Sequence, residues 1–142
     1  MLRKSLIPAL SVVALITVLS CQNEPESYNE DAATLSVAKW LQLIDSGNYQ
    51  ESWETAAEIF KAQVGADDWI KTAVAARSPL GTVVSRKMTS QVYKTAIQGA
   101  PDGEYVVIEF STAFENKKSA TETITPMLDP DGQWRVSGYY IR

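Results

Sequence analysis

Apolar positions recur with two different periods along this chain, and the change from one to the other falls near Pro79. Val37, Trp40, Leu41 and Ile44 stand at i, i+3, i+4 and i+7, which predicts one apolar stripe on a helix from about Asp31 to Ser46, ended by Gly47. Tyr49, Trp53, Ala56, Ala57 and Phe60 repeat that spacing and predict a second helix. Only Ser46, Gly47 and Asn48 separate the two, so they are expected to pack as an antiparallel hairpin. A third helix is predicted from Asp67, a favourable N-cap, through Ile70, Ala73, Val74 and Arg77. It must stop before Pro79, because proline disfavours helical geometry at the residue preceding it.

After Pro79 the pattern is extended. Leu80 to Ala96 is rich in Val, Thr, Ser and Tyr, while Tyr105 to Phe114, Ala120 to Leu128 and Trp134 to Ile141 alternate or are β-branched and aromatic. The breaks between them, Pro101-Asp102-Gly103, Asn116-Lys117-Lys118 and Asp129-Pro130-Asp131-Gly132, have the length and chemistry of hairpin turns. Four strands joined this way form an antiparallel meander. Helices first and strands afterwards predicts an α+β class, two to three helices lying across one face of a curved sheet.

Strand parity then sorts the candidate residues. Val84, Arg86, Met88 and Val92 fall on one side of the first strand, Val106, Ile108 and Phe110 on one side of the second, and Glu122, Ile124 and Leu128 on one side of the third. Facing the helices, these sides would set Arg86 and Glu122 among apolar neighbours. Three readings stay open: an ion pair at the rim of the core, a bulge that turns Arg86 outward, or a pocket in which Arg86 meets an anionic ligand. Trp40 and Trp53 lie on helix stripes and belong to the core. Trp134 and Tyr140 share a strand face by alternation, so Tyr139 is expected on the other face, exposed beside Arg135 as a candidate protein-binding surface.

The first thirty residues carry a different message. Arg3 and Lys4 precede a stretch without charge from Ser5 to Ser20, a basic n-region followed by an apolar h-region. A spanning helix needs ~20 predominantly apolar residues, and this stretch is shorter and contains Pro8, so residues 1–20 are read as a cleaved signal. Val18-Leu19-Ser20-Cys21 resembles the lipobox of bacterial lipoproteins, with Leu19 bulkier than usual, which implies that Cys21 becomes a lipidated N-terminus. Cys21 is the only cysteine, and acylation gives an otherwise unpaired exported thiol a purpose. Gln22, where an aspartate would resemble the inner-membrane retention signal of Gram-negative lipoproteins, implies outer-membrane sorting facing the periplasm. Residues 22–30 are acidic and poor in apolar side chains, which predicts a flexible tether ahead of one domain over residues 31–142.

Charge and composition remove whole classes of chemistry. The signal holds two of the 13 basic residues and none of the 17 acids, so the mature chain carries a net charge of −6 and would repel nucleic acid and anionic lipid surfaces. Histidine is absent, which excludes Ser-His-Asp and Cys-His nucleophilic systems and the usual zinc sites. Ser36 and Lys39 match a Ser-x-x-Lys spacing, but neither Lys-Thr-Gly nor Ser-Asp-Asn follows. Asp129-Pro130-Asp131-Gly132 lacks the downstream acid that closes a calcium loop. No glycine-rich phosphate loop is present, and no metal or organic cofactor is expected.

Several segments together resemble one family. These are Trp40-Leu41 with Ile44-Asp45, Tyr49 with Ser52-Trp53, Arg77 to Gly81, Ser85-Arg86, Pro101 to Tyr105, and Asp131 to Ile141. They look like the bacterial domain of unknown function numbered 4019, over essentially residues 32–142. The resemblance implies an exported protein and a cystatin-like or nuclear-transport-factor-two-like cone, and it carries over no catalytic residues. The expected function is a non-enzymatic envelope lipoprotein, a membrane-tethered binding or protein-interaction module. The alternative is a small-ligand-binding or catalytic cone using Arg86 with an acid such as Glu122, after the carboxylate bases of ketosteroid isomerases.

Overall fold

The computed structural model describes residues 29–142, so Cys21, the signal and all but the last two tether residues lie outside the described residues. Helix α1 spans Glu30–Asp45. Asn29 caps it, its side-chain oxygen accepting from the Ala32 N–H at 3.1 Å, and Glu30 and Asp31 place negative charge in the first turn. Helix α1 therefore includes Glu30, the last residue of the stretch read as tether. The buried stripe Ala33, Val37, Trp40, Leu41 and Ile44 follows the sequence spacing.

The second predicted helix is two. Helix α2 covers Tyr49–Glu54 and helix α3 covers Glu58–Gln63. Ala57 between them is extended, at φ −61° and ψ 151°, and its N–H donates to the Val136 carbonyl at 2.9 Å. A bond to the sheet thus replaces a helical one, and the apolar spacing of Ala56, Ala57 and Phe60 survives because all three are buried on both sides of the break. Helix α4 spans Ala66–Arg77, with Gly65 rather than Asp67 at its N-cap; Asp67 sits in the first turn. A 3₁₀ turn, Ser78–Leu80, carries Pro79 away from the helix. Among the described residues four α-helices therefore stand where two to three were expected.

The strands are β1 (Val83–Lys94), β2 (Tyr105–Phe114), β3 (Lys117–Leu128) and β4 (Trp134–Ile141), paired antiparallel in the order β1-β2-β3-β4. β1 is shorter than Leu80 to Ala96, because the 3₁₀ turn takes its start. β3 begins at Lys117, because the turn before it is tight. The class is α+β, as the change of period requires. The α1 stripe packs with Phe60, Trp69 and Ala73 against Val106, Ile108, Ile124 and Val136 to form one core.

Three bulges decide which side chains enter that core. In β1 the register shifts between Val83 and Ser85 and again between Met88 and Ser90. Each extra residue reverses the alternation, so Arg86 and Met88 do share the inner face, while Val84 (70% exposed) and Val92 (47%) point outward. In β4 the shift between Thr125 and Pro126 leaves Ser137 unpaired, and Gly138 and Tyr140 fall outside with Thr125 and Thr123. Tyr139 is consequently inside, opposite Ile124 and edge-on to Trp40 at 5.3 Å, and Tyr140 is the exposed tyrosine at 74%. The expectation for this pair is reversed, because counting alternate residues cannot register a bulge. Among the described residues no helix is long and apolar enough to cross a membrane.

Candidate functional site

Arg86 reaches inward from β1 and meets two carboxylates. Its Nε and Nη2 donate to the Glu122 Oε1 and Oε2 at 2.8 and 3.2 Å, and its Nη1 and Nη2 donate to the Asp45 Oδ2 and Oδ1 at 2.7 and 2.9 Å. Asp45 arrives from the last turn of α1 and Glu122 from the middle of β3. Arg77, from the last turn of α4, donates through Nη2 to Asp45 Oδ1 at 3.0 Å and lies 5.0 Å over the Phe114 ring. The Tyr139 hydroxyl donates to Glu122 Oε2 at 2.7 Å and accepts from Arg77 Nη1 at 3.4 Å.

Two cations and two anions thus neutralise each other at the junction of α1, α4 and the sheet. Glu122 is fully buried and Arg77 is 5% exposed, so neither can exchange its partner for water. Burial works against the charged form of Asp45, but hydrogen bonds and charge from Arg86, then Arg77, outweigh it and hold its carboxyl below the ordinary value of 3.8. Burial likewise opposes the Arg86 cation, and Asp45 and Glu122 more than compensate, raising its pKa. Burial, then the Glu122 charge, raises the Tyr139 phenol above its ordinary 10.0. Both carboxylates of the cluster are thus already spent on its arginines and its tyrosine. Its unpartnered buried atoms are Arg77 Nε and the neighbouring Thr112 Oγ1.

Sequence reasoning identified Arg86 and Glu122 and missed Asp45 and Arg77. A signal for Asp45 was present. An acid in the last turn of a helix that has no basic residue there opposes the macrodipole, and such a residue needs a cation from elsewhere. The other two candidates separate. Tyr139 joins the cluster, whereas Arg135 lies apart, clamped by Asp129 at 2.9 Å and Asp131 at 2.8 and 2.7 Å in the β3–β4 turn. Arg135 and the Gln133 N–H together hold the Asp131 carboxyl down at about 2.

Beside the cluster is an open cleft of about 220 Å³ between α1 and the inner face of β1 and β2, walled by Leu41, Asp45, Arg86, Met88 and Phe110. It is mostly apolar, and Arg86 presents it a guanidinium with four of its donor contacts already taken. Among the described residues no group of three or more metal-ligating side chains converges.

Fold and cluster together define a class: an α+β domain whose leading helices pack on a four-stranded antiparallel meander, locked by a neutral ionic junction. The chain belongs to the family described as protein of unknown function DUF4019, whose model matches residues 36–139. No curated protein matches the chain.

Proposed function

We propose that this chain is a non-enzymatic cell-envelope lipoprotein, anchored through Cys21, whose α+β domain is a binding or protein-interaction module on a short acidic tether. One observation carries the non-enzymatic reading. The polar cluster inside the domain is closed on itself apart from Arg77 Nε and Thr112 Oγ1, with both carboxylates held by arginines. An oxyanion hole or a poised base needs groups left open for substrate. The cystatin-like or nuclear-transport-factor-two-like cone is part of the same proposal, supported by the order of helices and then meander. Its location outside the cytoplasm, in the outer membrane facing the periplasm, rests on the n-region, h-region and Cys21-Gln22.

Replacing Cys21 with serine tests the anchor. Labelling by a fatty-acid analogue is expected to vanish and the protein to leave the membrane pellet. Unchanged pelleting of a cleaved Cys21→Ser protein would sink the lipoprotein reading. The second reading, a ligand-binding cone using Arg86 with Glu122, is favoured only by the 220 Å³ cleft against Arg86.

A further inference from the structure

The outer face of the sheet carries a trough of about 330 Å³, at the small end of the range for ligand pockets. Its floor is Val107 of β2, Thr123 and Thr125 of β3, and Gly138 of β4. Gly138 stands opposite Thr125, so the missing side chain makes the depression. One wall is the turn Ile97 to Ala100, and the other is Ile59 and Gln63 of α3, which reaches round the β4 edge. The Tyr140 ring stands at the rim, 74% exposed.

Two properties characterise this trough. None of its thirteen lining residues is charged, in a chain where 21% of residues are. Its polar side chains are also unspent: Gln63, Gln98, Thr123, Thr125 and Tyr140 make no hydrogen bond to any described residue. This is the reverse of the Arg86 cluster, where the charged groups are bound to each other.

We infer that the trough is a binding site for a neutral glycan bearing acetamido groups, the Tyr140 ring covering a sugar face while the Gln63 and Gln98 carboxamides and the Thr123 and Thr125 hydroxyls meet its polar edge. An uncharged lining gives an ion no counter-charge and so disfavours anionic or cationic ligands. A fully apolar ligand would strip water from two amides and three hydroxyls without replacing those bonds. A sugar ring offers both an apolar face and hydroxyls, and tyrosine pairs an apolar body with a polar tip. Carboxamides hydrogen-bond an acetamido group through donor and acceptor at once. The inference names the ligand and face of the binding module proposed above and rests on that reading.

The test is a titration of the isotopically labelled full chain with tri-N-acetylchitotriose, followed by amide NMR shifts. Shifts are expected at Gly99, Thr123, Thr125, Gly138 and Tyr140, with weaker binding of cellotriose and none of trigalacturonate. Gly138→Val fills the floor, and its Cβ would lie an ordinary 3.9 Å from the Thr125 Cβ, so the fold is expected to persist. That variant and Tyr140→Ala are each expected to weaken binding at least about tenfold, a loss of ~1.4 kcal/mol, while Lys71→Ala, at an exposed position of α4 away from the trough, leaves it unchanged. No shifts with either neutral trisaccharide, unaltered affinity in both trough variants, or equal binding of trigalacturonate would overturn the site. Equal affinity for cellotriose would overturn the acetamido assignment. Concentration-dependent shifts at these residues without sugar would assign the trough to a second copy of the chain instead. A negative titration leaves the Cys21 fractionation result untouched, so the two failures are distinguishable.

Discussion

At the scale of single residues, Arg86 is the side chain on which the interior depends. A guanidinium keeps its charge at any ordinary pH, and Arg86 uses that permanence to hold two carboxylates at once, Asp45 of the helical layer and Glu122 of the sheet. Arg86→Met removes the cation and strands Glu122, which is fully buried, at an expected cost of roughly 3 to 5 kcal/mol. Glu122→Gln keeps the shape and leaves Arg86 on Asp45, so it is expected to cost less. A double-mutant cycle on thermal unfolding should give a coupling energy above about 0.5 kcal/mol, and additive effects would rule out the direct pair. The pH dependence has a fixed sign. The lowered Asp45 pKa contributes stability that is complete above 3.8 and fades as pH falls through its folded value, and the raised Tyr139 pKa contributes stability that is complete below 10.0 and fades as pH climbs past it. In Asp45→Asn the acid limb of the stability curve should flatten while the alkaline limb stays.

Among elements, the bulges and turns decide what alternation cannot. The helix stripe from Val37 to Ile44 and the bounds of β2 and β4 were legible, because period and turn chemistry depend on neighbours in sequence. The placement of Tyr139 and Tyr140 was not, since a single unpaired Ser137 reverses every position after it and leaves no mark in composition. Arg86 and Glu122 were found because they interrupt apolar faces; Arg77 was missed because an arginine ending a helix is ordinary dipole chemistry. The turn that feeds β1 offers a test. Gly81 has φ +74° and ψ −159°, a conformation almost confined to glycine, and a Cβ there would lie 2.8 Å from Glu115 Oε2 and 2.9 Å from Glu115 Cβ. The turn is pinned to the β2–β3 hairpin by Glu115 N–H to the Thr82 carbonyl at 2.8 Å and Asn116 N–H to the Leu80 carbonyl at 2.9 Å, so neither side can retreat freely. Gly81→Ala is therefore expected to cost at least about 1 to 3 kcal/mol in chemical denaturation, whereas a variant that unfolds like the parent would mean that the turn relaxes.

For the molecule as a whole, the question is whether the helical layer and the sheet stand or fall together. Beyond the apolar core that they share, polar bonds tie them together. Trp40 Nε1 donates to the Ser52 carbonyl at 2.8 Å, Trp69 Nε1 donates to Ser52 Oγ at 2.9 Å, and Ser52 Oγ donates in turn to the Tyr49 carbonyl at 2.7 Å. Ser52 thus ties α1, α2 and α4 into one unit, and the Ala57 bond to Val136 and the Arg86 junction tie that unit to the sheet. Ser52→Ala leaves the Trp69 indole N–H buried without an acceptor, which costs about 1 to 3 kcal/mol. Trp69→Phe removes the same donor, so the loss in the double variant should be smaller than the sum of the two single costs. If the layers form one cooperative unit, tryptophan fluorescence of a Trp134→Phe background, whose remaining tryptophans Trp40, Trp53 and Trp69 all lie on helices, and far-UV dichroism, which includes the sheet, should give one midpoint and move together when Ser52→Ala is added. An earlier fluorescence transition in that variant alone would show the helices lifting from a sheet that persists, and the ionic junction would then be too weak a bond between the layers to carry the role assigned to it.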